Sequence, residues 1–327
     1  MKKHASIALF VPHFGCPNMC SFCNQHSITK ASDNITVSDV ERAVQTAIHS
    51  SFGGADDTEI AFFGGSFTMI PREKMCELLA AAHKYVRDKT VRGIRISTRP
   101  DGIDDDILKL LKSYGVTAIE LGAQSMDNKV LRANMRGHMA EDIAAGCEKI
   151  KAQGFELGLQ MMTGLYSDSD AGALMTAQRI AALKPKTVRI YPTIVLKNTP
   201  LEKLVKSGEY MPQSLENAVL LCAKLYLLFT QQNIKVIRLG LHELERNDIV
   251  AGPWHPAFSE LCMSEIYKNL LIQKLGDKGH YTLQIARGEM SKVIGQKRVN
   301  KNYFENLGYS FIIEENESVK PLDIEII

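Results

Sequence analysis

The first 192 residues alternate between short apolar runs and longer segments with helical periodicity, and this alternation limits the possible folds more than any other feature. The apolar runs predict six strands, at residues 6–11, 59–63, 93–98, 118–122, 155–162 and 187–191. Helix signals lie between them, including Pro71 at a helix start and Gly115 and Gly154 after helix ends. Strands that alternate with helices indicate βαβ units and a parallel sheet.

Six βα units predict an α/β fold with a partial (β/α)6 barrel, which resembles an incomplete TIM barrel. An open doubly wound sheet is the competing topology, and the periodicity does not separate the two. Both architectures place their chemistry at the C-terminal ends of the strands. The pattern changes near residue 215, where a long helix, a strand at residues 234–241 and several short elements follow. We therefore predict a barrel core at residues 1–215 and a small α+β cap domain at residues 216–327.

The composition is that of an ordinary globular protein, with 45% hydrophobic and 23% charged residues in 327. No apolar run reaches the roughly 18 residues that a membrane span needs, so we expect no membrane partner. The N-terminus lacks the apolar region and cleavage site of a signal peptide. The seven cysteines are odd in number, and three of them are clustered. This pattern favours a reducing, cytoplasmic location and metal chemistry over a disulfide framework.

Cys16, Cys20 and Cys23 stand in the run CPNMCSFC, with the spacing C-x3-C-x2-C. An iron–sulfur cube takes four ligands, so three thiolates would leave one iron open to a group that is not protein. An open metal position is typical of a catalytic site. The alternative is a Cys3His zinc site completed by His13 or His26. That alternative describes a zinc-binding module without enzymatic activity.

Each predicted strand is followed by residues that suit small-molecule binding. The second strand ends in Gly64-Gly65-Ser66, whose backbone can approach a ligand closely, although a tight βα turn also favours glycine. Gln124 follows the fourth strand and can bind a ribose hydroxyl, or it can face solvent at a helix start. Arg136 can bind a carboxylate with its guanidinium, or it can be a solvated loop residue.

The cysteine run and the Gly-Gly turn resemble the radical S-adenosylmethionine (SAM) superfamily. The resemblance narrows over residues 5–215 to the radical SAM core of the Elongator catalytic subunit. It is carried by four segments in the same order and at matching intervals, namely FFGGSFTMIP, STRPDGI, YGVTAIELGAQSMDNKVLRANMRGH and RIYPTIVLKNTPLEKLVKSGEY. The oxygen-independent coproporphyrinogen oxidases are similar at a greater distance.

The resemblance implies that Cys16, Cys20 and Cys23 hold a [4Fe-4S] cluster, whose open iron binds SAM. An external one-electron reductant would then drive cleavage of SAM to a 5′-deoxyadenosyl radical, which abstracts hydrogen from a substrate. The implied SAM contacts are Phe22, Gly64, Gly65, Ser66, Ser97, Gln124, Arg136 and Gln160.

In this resemblance Phe22 lies by the adenine, and the two glycines meet the methionyl amino group. Gln124 holds the ribose, and Arg136 holds the carboxylate. Ser97 departs from the family pattern, because a glutamate commonly stands at this position.

The substrate remains open between two classes. Modification of tRNA is favoured by the Elongator resemblance and by a basic stretch that contains Lys292, Lys297, Arg298, Lys301 and Tyr303, although that stretch also suits a solvated surface. Radical chemistry on a small metabolite or porphyrin-like acid is the alternative, suggested by the short chain and the enclosed cap. We find no acetyl-CoA signature, so the resemblance does not extend to acetyl transfer.

Three residues are candidates for substrate contact or catalysis at the barrel mouth: Tyr191, His242 and His255. The segment around Trp254, the only tryptophan, is framed by Gly252, Pro253 and Pro256. We expect it to form a rigid turn that packs in the cap.

Overall fold

The fold is given by a computed structural model, which describes residues 5–11, 16, 19–24, 35–50, 55–241 and 244–327. Its main sheet has seven strands, and each neighbouring pair is parallel. In spatial order they are β1 (Ala5–Val11), β2 (Thr58–Gly64), β3 (Gly93–Thr98), β4 (Val116–Gln124), β5 (Glu156–Thr163), β6 (Thr187–Pro192) and β8 (Lys235–Leu239). Because the spatial order follows the chain order without a reversal, the sheet curls into a partial barrel. The predicted partial TIM-like barrel is confirmed, and the doubly wound alternative is not found.

Strand β8 extends the sheet beyond the six predicted strands. It pairs in parallel with β6 through Thr187 and Lys235, Val188 and Val236, and the residues that follow. The sequence predicts this strand but assigns it to the cap domain, because a local pattern does not specify which sheet a strand joins. The division at residues 215 and 216 stays a prediction.

Helices follow the strands and cover the outer face of the sheet. Several begin at a polar residue whose side chain accepts the backbone N–H three residues later, as Thr36, Asp104, Ser169 and Ser214 do. The helices are α1 (Val37–His49), α2 (Arg72–Arg87), α3 (Asp105–Ser113), α4 (Asn128–Ala133), α5 (Ala140–Ala152), α6 (Asp170–Ala182), α7 (Pro200–Lys206), α8 (Leu215–Gln231), α9 (Phe258–Lys274), α10 (Met290–Ile294) and α11 (Val299–Asn306).

Successive side chains of a strand point to opposite faces, and the two faces of this sheet differ in chemistry. Outward residues such as Ile60 and Ile94 are fully buried in the main apolar core under the helices. Inward residues at the N-terminal ends of the strands are ionic. Arg95 on β3 donates to Glu59 on β2 and to Glu156 on β5, each at 2.9 Å. These ion pairs fill the barrel interior at that end, so a ligand site is left only toward the C-terminal ends.

The C-terminal part adds two smaller sheets. Strands β10 (His280–Ile285), β11 (Ser310–Glu315) and β12 (Ile324–Ile326) form a mixed sheet in the order β11-β10-β12. A second apolar core joins this sheet to α9 through Tyr267 and Leu271. Strands β7 (Val195–Leu196) and β9 (Ile249–Ala251) pair in antiparallel fashion. In the described residues, none of the helices has the length and apolarity to cross a bilayer.

Candidate active site

A cavity of about 340 Å³ opens at the C-terminal ends of the strands, and all seven strands of the main sheet contribute to its wall. Its volume lies within the range of small-molecule sites. The structure brings the three clustered cysteines and every predicted SAM contact to this one cavity. The lining includes Cys16, Cys20, Phe22, Cys23, Gly64, Gly65, Ser66, Ser97, Gln124, Arg136 and Gln160.

The loop that carries the cysteines is held by contacts from two distant segments. Ser21 donates its hydroxyl to Asn134 Oδ1 at 2.6 Å, and its backbone N–H donates to the Asn134 carbonyl at 3.2 Å. The Ser21 carbonyl accepts from the Leu201 N–H at 2.8 Å. Within the loop, the Cys23 N–H donates to the Cys20 carbonyl at 3.1 Å. The loop therefore presents its thiols from a position fixed by helices α4 and α7.

Burial, followed by the neighbouring Cys20 and Cys16, raises the pKa of the Cys23 thiol to about 12. A metal bound there must displace that proton, as thiolate ligation requires. In the described part of the chain, no three His, Cys, Asp or Glu side chains converge on a single metal ion. The cysteines of an iron–sulfur cube each bind a different iron. His13 and His26, which would complete a zinc site, lie outside the described residues.

Arg136 adds positive charge to the cysteine side of the cavity. Its Nη1 donates to Cys20 Sγ at 3.1 Å, and its Nη2 donates to the Gly122 carbonyl at 2.6 Å. The Arg136 carbonyl accepts from Arg99 Nη2 at 2.7 Å, and Asp101 neutralises Arg99 through two further hydrogen bonds. A buried guanidinium beside thiol ligands suits an anionic iron–sulfur cluster, so the residues present fit that group.

Other parts of the cavity wall are formed by the Gly64-Gly65 turn and by two glutamines, Gln124 and Gln160. Gly64 has φ of 105°, a conformation that favours glycine. Gln124 has φ of 66° although it carries a side chain, and Gln160 Nε2 donates to Gln124 Oε1 at 3.2 Å. Strained backbone of this kind is concentrated at functional sites. A Cβ on Gly122 would lie 2.9 Å from Gln124 Nε2, so a larger residue here would displace the Gln124 amide from its present position.

An ion pair lies inside the cavity, between two residues for which the sequence predicted no role. Arg189 Nε donates to Glu120 Oε2 at 2.7 Å, and the guanidinium lies over the Phe63 ring, 4.6 Å from its centroid. Burial alone would lower the pKa of Arg189, but the charges of Glu120 and Tyr191 and the hydrogen bonds to both together outweigh burial and raise it. Ser97 donates to the other Glu120 oxygen at 3.4 Å. Because side chains alternate along a strand, Glu120 shares a face of β4 with Gly122 and Gln124. This alternation was the sequence signal that could have placed Glu120 in the cavity.

Ser97 is the position where the Elongator-like pattern commonly has glutamate. Here the carboxylate beside it comes from Glu120 on the neighbouring strand. Glu120 therefore supplies a negative charge to the part of the wall where Ser97 lies.

The three predicted mouth residues are placed differently. Tyr191 lines the cavity, and its hydroxyl accepts from Arg189 Nη1 at 3.4 Å. His255 is not in the lining, and its Nδ1 accepts the Ala257 N–H at 3.0 Å within a local turn. His242 lies outside the described residues. Trp254 packs against the apolar cluster of Ile194, Leu196 and Leu244, as expected for a rigid turn in the cap.

The basic stretch is partly neutralised by its own neighbours. Lys292 pairs with Glu289 at 2.6 Å, and Lys301 lies 3.8 Å from Glu305. The ring of Tyr303 is contacted by Lys268, whose Nζ is 4.4 Å from the centroid. Lys297 and Arg298 remain exposed, and both have left-handed backbone conformations.

Comparison with known proteins agrees with this geometry. The human Elongator complex protein 3 is 28% identical over 238 residues, which cover 67% of this chain and 43% of the relative. The tRNA uridine(34) acetyltransferase of Methanocaldococcus jannaschii is 32% identical over 127 residues, which cover 38% of this chain and 24% of the relative. The chain therefore spans less than half the length of either relative. These matches confirm the predicted resemblance to the Elongator protein.

The archaeal Elp3 of Methanocaldococcus infernus, a solved structure, superposes with a TM-score of 0.67 at 19% identity, covering 82% of this chain and 64% of that one. This similarity shows a shared fold. The radical SAM C-terminal domain profile matches residues 185–268, and the profile of the radical SAM superfamily matches residues 10–180, more than half of the chain. The chain therefore belongs to the radical SAM superfamily and is an enzyme of the radical SAM type.

Proposed function

We propose that this protein holds a [4Fe-4S] cluster on Cys16, Cys20 and Cys23 and cleaves SAM reductively to begin radical chemistry on a substrate. The observation that carries the proposal is the cavity itself. Three cysteines and all of the predicted SAM contacts, drawn from segments spread over 145 residues of sequence, line this one cavity. Family membership supports the same chemistry.

When bound, a reduced cluster supplies the single electron that cleaves SAM into methionine and a 5′-deoxyadenosyl radical, which takes a hydrogen atom from substrate. The electron comes from an external reductant. In this proposal the backbone of Gly64 and Gly65 binds the methionyl group, and the amides of Gln124 and Gln160 bind the ribose. The ionic layer below the cavity and the apolar residues around Trp254 exclude water from the reacting groups.

The test is anaerobic reconstitution with iron and sulfide, followed by reduction and addition of SAM. We expect a brown protein with about four irons per chain that releases 5′-deoxyadenosine and methionine. Replacement of Cys16, Cys20 or Cys23 by Ala should abolish both cluster and cleavage. The half-buried Cys76, on helix α2, provides the matched control, because Cys76→Ala should keep both. A colourless protein with one stoichiometric zinc would overturn the proposal in favour of the zinc module.

For the substrate, we propose a nucleoside of tRNA. Support comes from the relative named for its action on tRNA uridine and from the exposed cations Lys297 and Arg298. Exposed cations of this kind bind phosphate groups and give affinities that fall with salt. The acetyl transfer named for that relative is not part of the proposal.

An electrophoretic mobility shift with bulk tRNA, repeated at several salt concentrations with cluster and SAM present, tests this assignment. We expect binding that weakens steeply with salt. The double variant Lys297→Ala/Arg298→Ala should make the slope of log affinity against log salt concentration shallower, by the amount that about one to two phosphate contacts contribute. The double variant Lys89→Ala/Lys109→Ala removes the same charge from exposed positions elsewhere and should keep the wild-type slope.

A small acidic substrate is the second candidate, and Arg238 is the observation that favours it. Arg238 on β8 lines the cavity beside Arg189, and its Nε donates to the Gly240 carbonyl at 3.1 Å. Among the described residues its other donors have no partner, which leaves them for a carboxylate or phosphate of a small molecule. Absence of a tRNA shift at low salt would favour this candidate, with Arg238 and Tyr191 as its contacts.

A further inference from the structure

Arg136 differs from the other buried arginines of the barrel in having no carboxylate partner among the described residues. The buried Arg95 and Arg99, and the half-buried Arg189, each donate to an Asp or Glu at 2.9 Å or less. Arg136 is only 5% exposed, yet its hydrogen bonds go to Cys20 Sγ and to the Gly122 carbonyl. Its buried Nε has no hydrogen-bond partner among the residues that the structure describes.

A buried cation without a compensating negative charge is strongly unfavourable. The Gly122 carbonyl contributes a dipole but no charge. The Cys20 sulfur is the atom in contact with Arg136 that becomes anionic when it ligates a metal. Within the described residues, the Cys20 sulfur is therefore the contact of Arg136 that can supply a balancing negative charge.

The position of the guanidinium is fixed from two sides. The Gly122 carbonyl accepts from Nη2 at 2.6 Å. Arg99, itself neutralised by Asp101, holds the Arg136 carbonyl at 2.7 Å. Because both contacts are independent of SAM, the guanidinium is already oriented toward the sulfur before SAM binds.

We propose that Arg136 is the counter-ion of the cluster and tunes its reduction potential through the hydrogen bond to the Cys20 sulfur. The inference rests on the proposed function, since it requires the cluster on these cysteines. Reduction adds one electron and one negative charge, which a buried cation at a ligand sulfur stabilises. Arg136 therefore makes the cluster easier to reduce. This role differs from the one that the family resemblance implies, in which Arg136 holds the SAM carboxylate.

The test is a potentiometric titration of the reconstituted protein without SAM, in which electron paramagnetic resonance measures the fraction of reduced cluster at each potential. Arg136→Met should lower the midpoint potential by about 59 mV or more. For one electron this corresponds to at least a tenfold change in the equilibrium constant of reduction. Arg136→Lys keeps the charge but not the two-pronged geometry and should fall between wild type and the Met variant. Arg132→Met removes an exposed cation four residues away and should leave the potential unchanged.

A second measurement does not depend on a variant. Wild-type protein labelled with ¹⁵N-arginine, reduced without SAM, should show nuclear coupling between a guanidinium nitrogen and the cluster in pulsed paramagnetic resonance. Absence of that coupling, or an unchanged potential in a cluster-loaded Met variant, would overturn the inference. Loss of SAM affinity with an unchanged potential would instead assign Arg136 to the SAM carboxylate. If wild-type protein assembles no cluster, the proposed function itself fails.

Discussion

His138 is buried two residues after Arg136, and neither of its ring nitrogens has a hydrogen-bond partner within the described residues. Burial, followed by the charges of Arg136 and Arg99, lowers its pKa to about 4. Asp101 opposes this effect, but its carboxylate is 3.9 Å away and is already bound by Arg99. The imidazole is therefore neutral near pH 7 and adds no second positive charge behind Arg136.

This shift predicts a loss of stability in mild acid. Below its ordinary pKa of about 6.5 the histidine of the unfolded chain binds a proton, while the folded chain does not bind one until about pH 4. The free energy of unfolding should therefore fall as the pH falls from 6.5 to 4, by about 2–3 kcal/mol in total. Denaturant unfolding of the metal-free chain across this range measures the slope.

His138→Gln should make that slope shallower, whereas His49→Gln, which changes an exposed histidine on α1, should leave it unchanged. Equal slopes for wild type and the His138 variant would refute this assignment.

At the scale of elements, the cysteine loop depends on contacts between segments far apart in the chain. Asn134, fully buried at the end of α4, accepts from Ser21 and donates to the carbonyls of Val130 and Tyr166. Sequence patterns predict the loop and the helix separately. They do not predict this hydrogen bond, because it joins residues 113 positions apart and depends on how the helix packs.

Ser21→Ala should therefore loosen the loop without removing a ligand. It leaves Oδ1 of the buried Asn134 without the Ser21 hydroxyl as a donor, which costs about 1–3 kcal/mol. We expect a lower melting temperature and faster extraction of iron by a chelator. Ser113→Ala is the control, because it removes an exposed hydroxyl that donates to the Leu110 carbonyl within its own helix. Chelation at the same rate in all three proteins would show that Ser21 does not hold the loop.

At the scale of the whole molecule, the sequence predicts which residues meet but not how they pair. The lining residues were predictable because parallel strands bring their C-terminal ends to one edge, so Gly64, Gln124 and Gln160 had to lie close together. The pairing of Glu120 with Arg189 and of Arg136 with Cys20 depends on side-chain packing across different strands and loops. The same limit explains β8, which was predicted as a strand but not as a member of the main sheet.

The barrel is not closed, and this has a consequence for how the two walls of the cavity are spaced. In the described part of the chain, β1 and β8 are the edges of the sheet, each paired on one side only. The cysteine loop follows β1, and Arg238 lies on β8. Because no described strand joins these edges, the gap between the cysteine side of the cavity and the opposite wall is set by the summed twist of six strand pairs. Substitutions in helices far from the cavity can therefore alter the distance between the cysteine loop and Arg238 without touching any residue that lines the cavity.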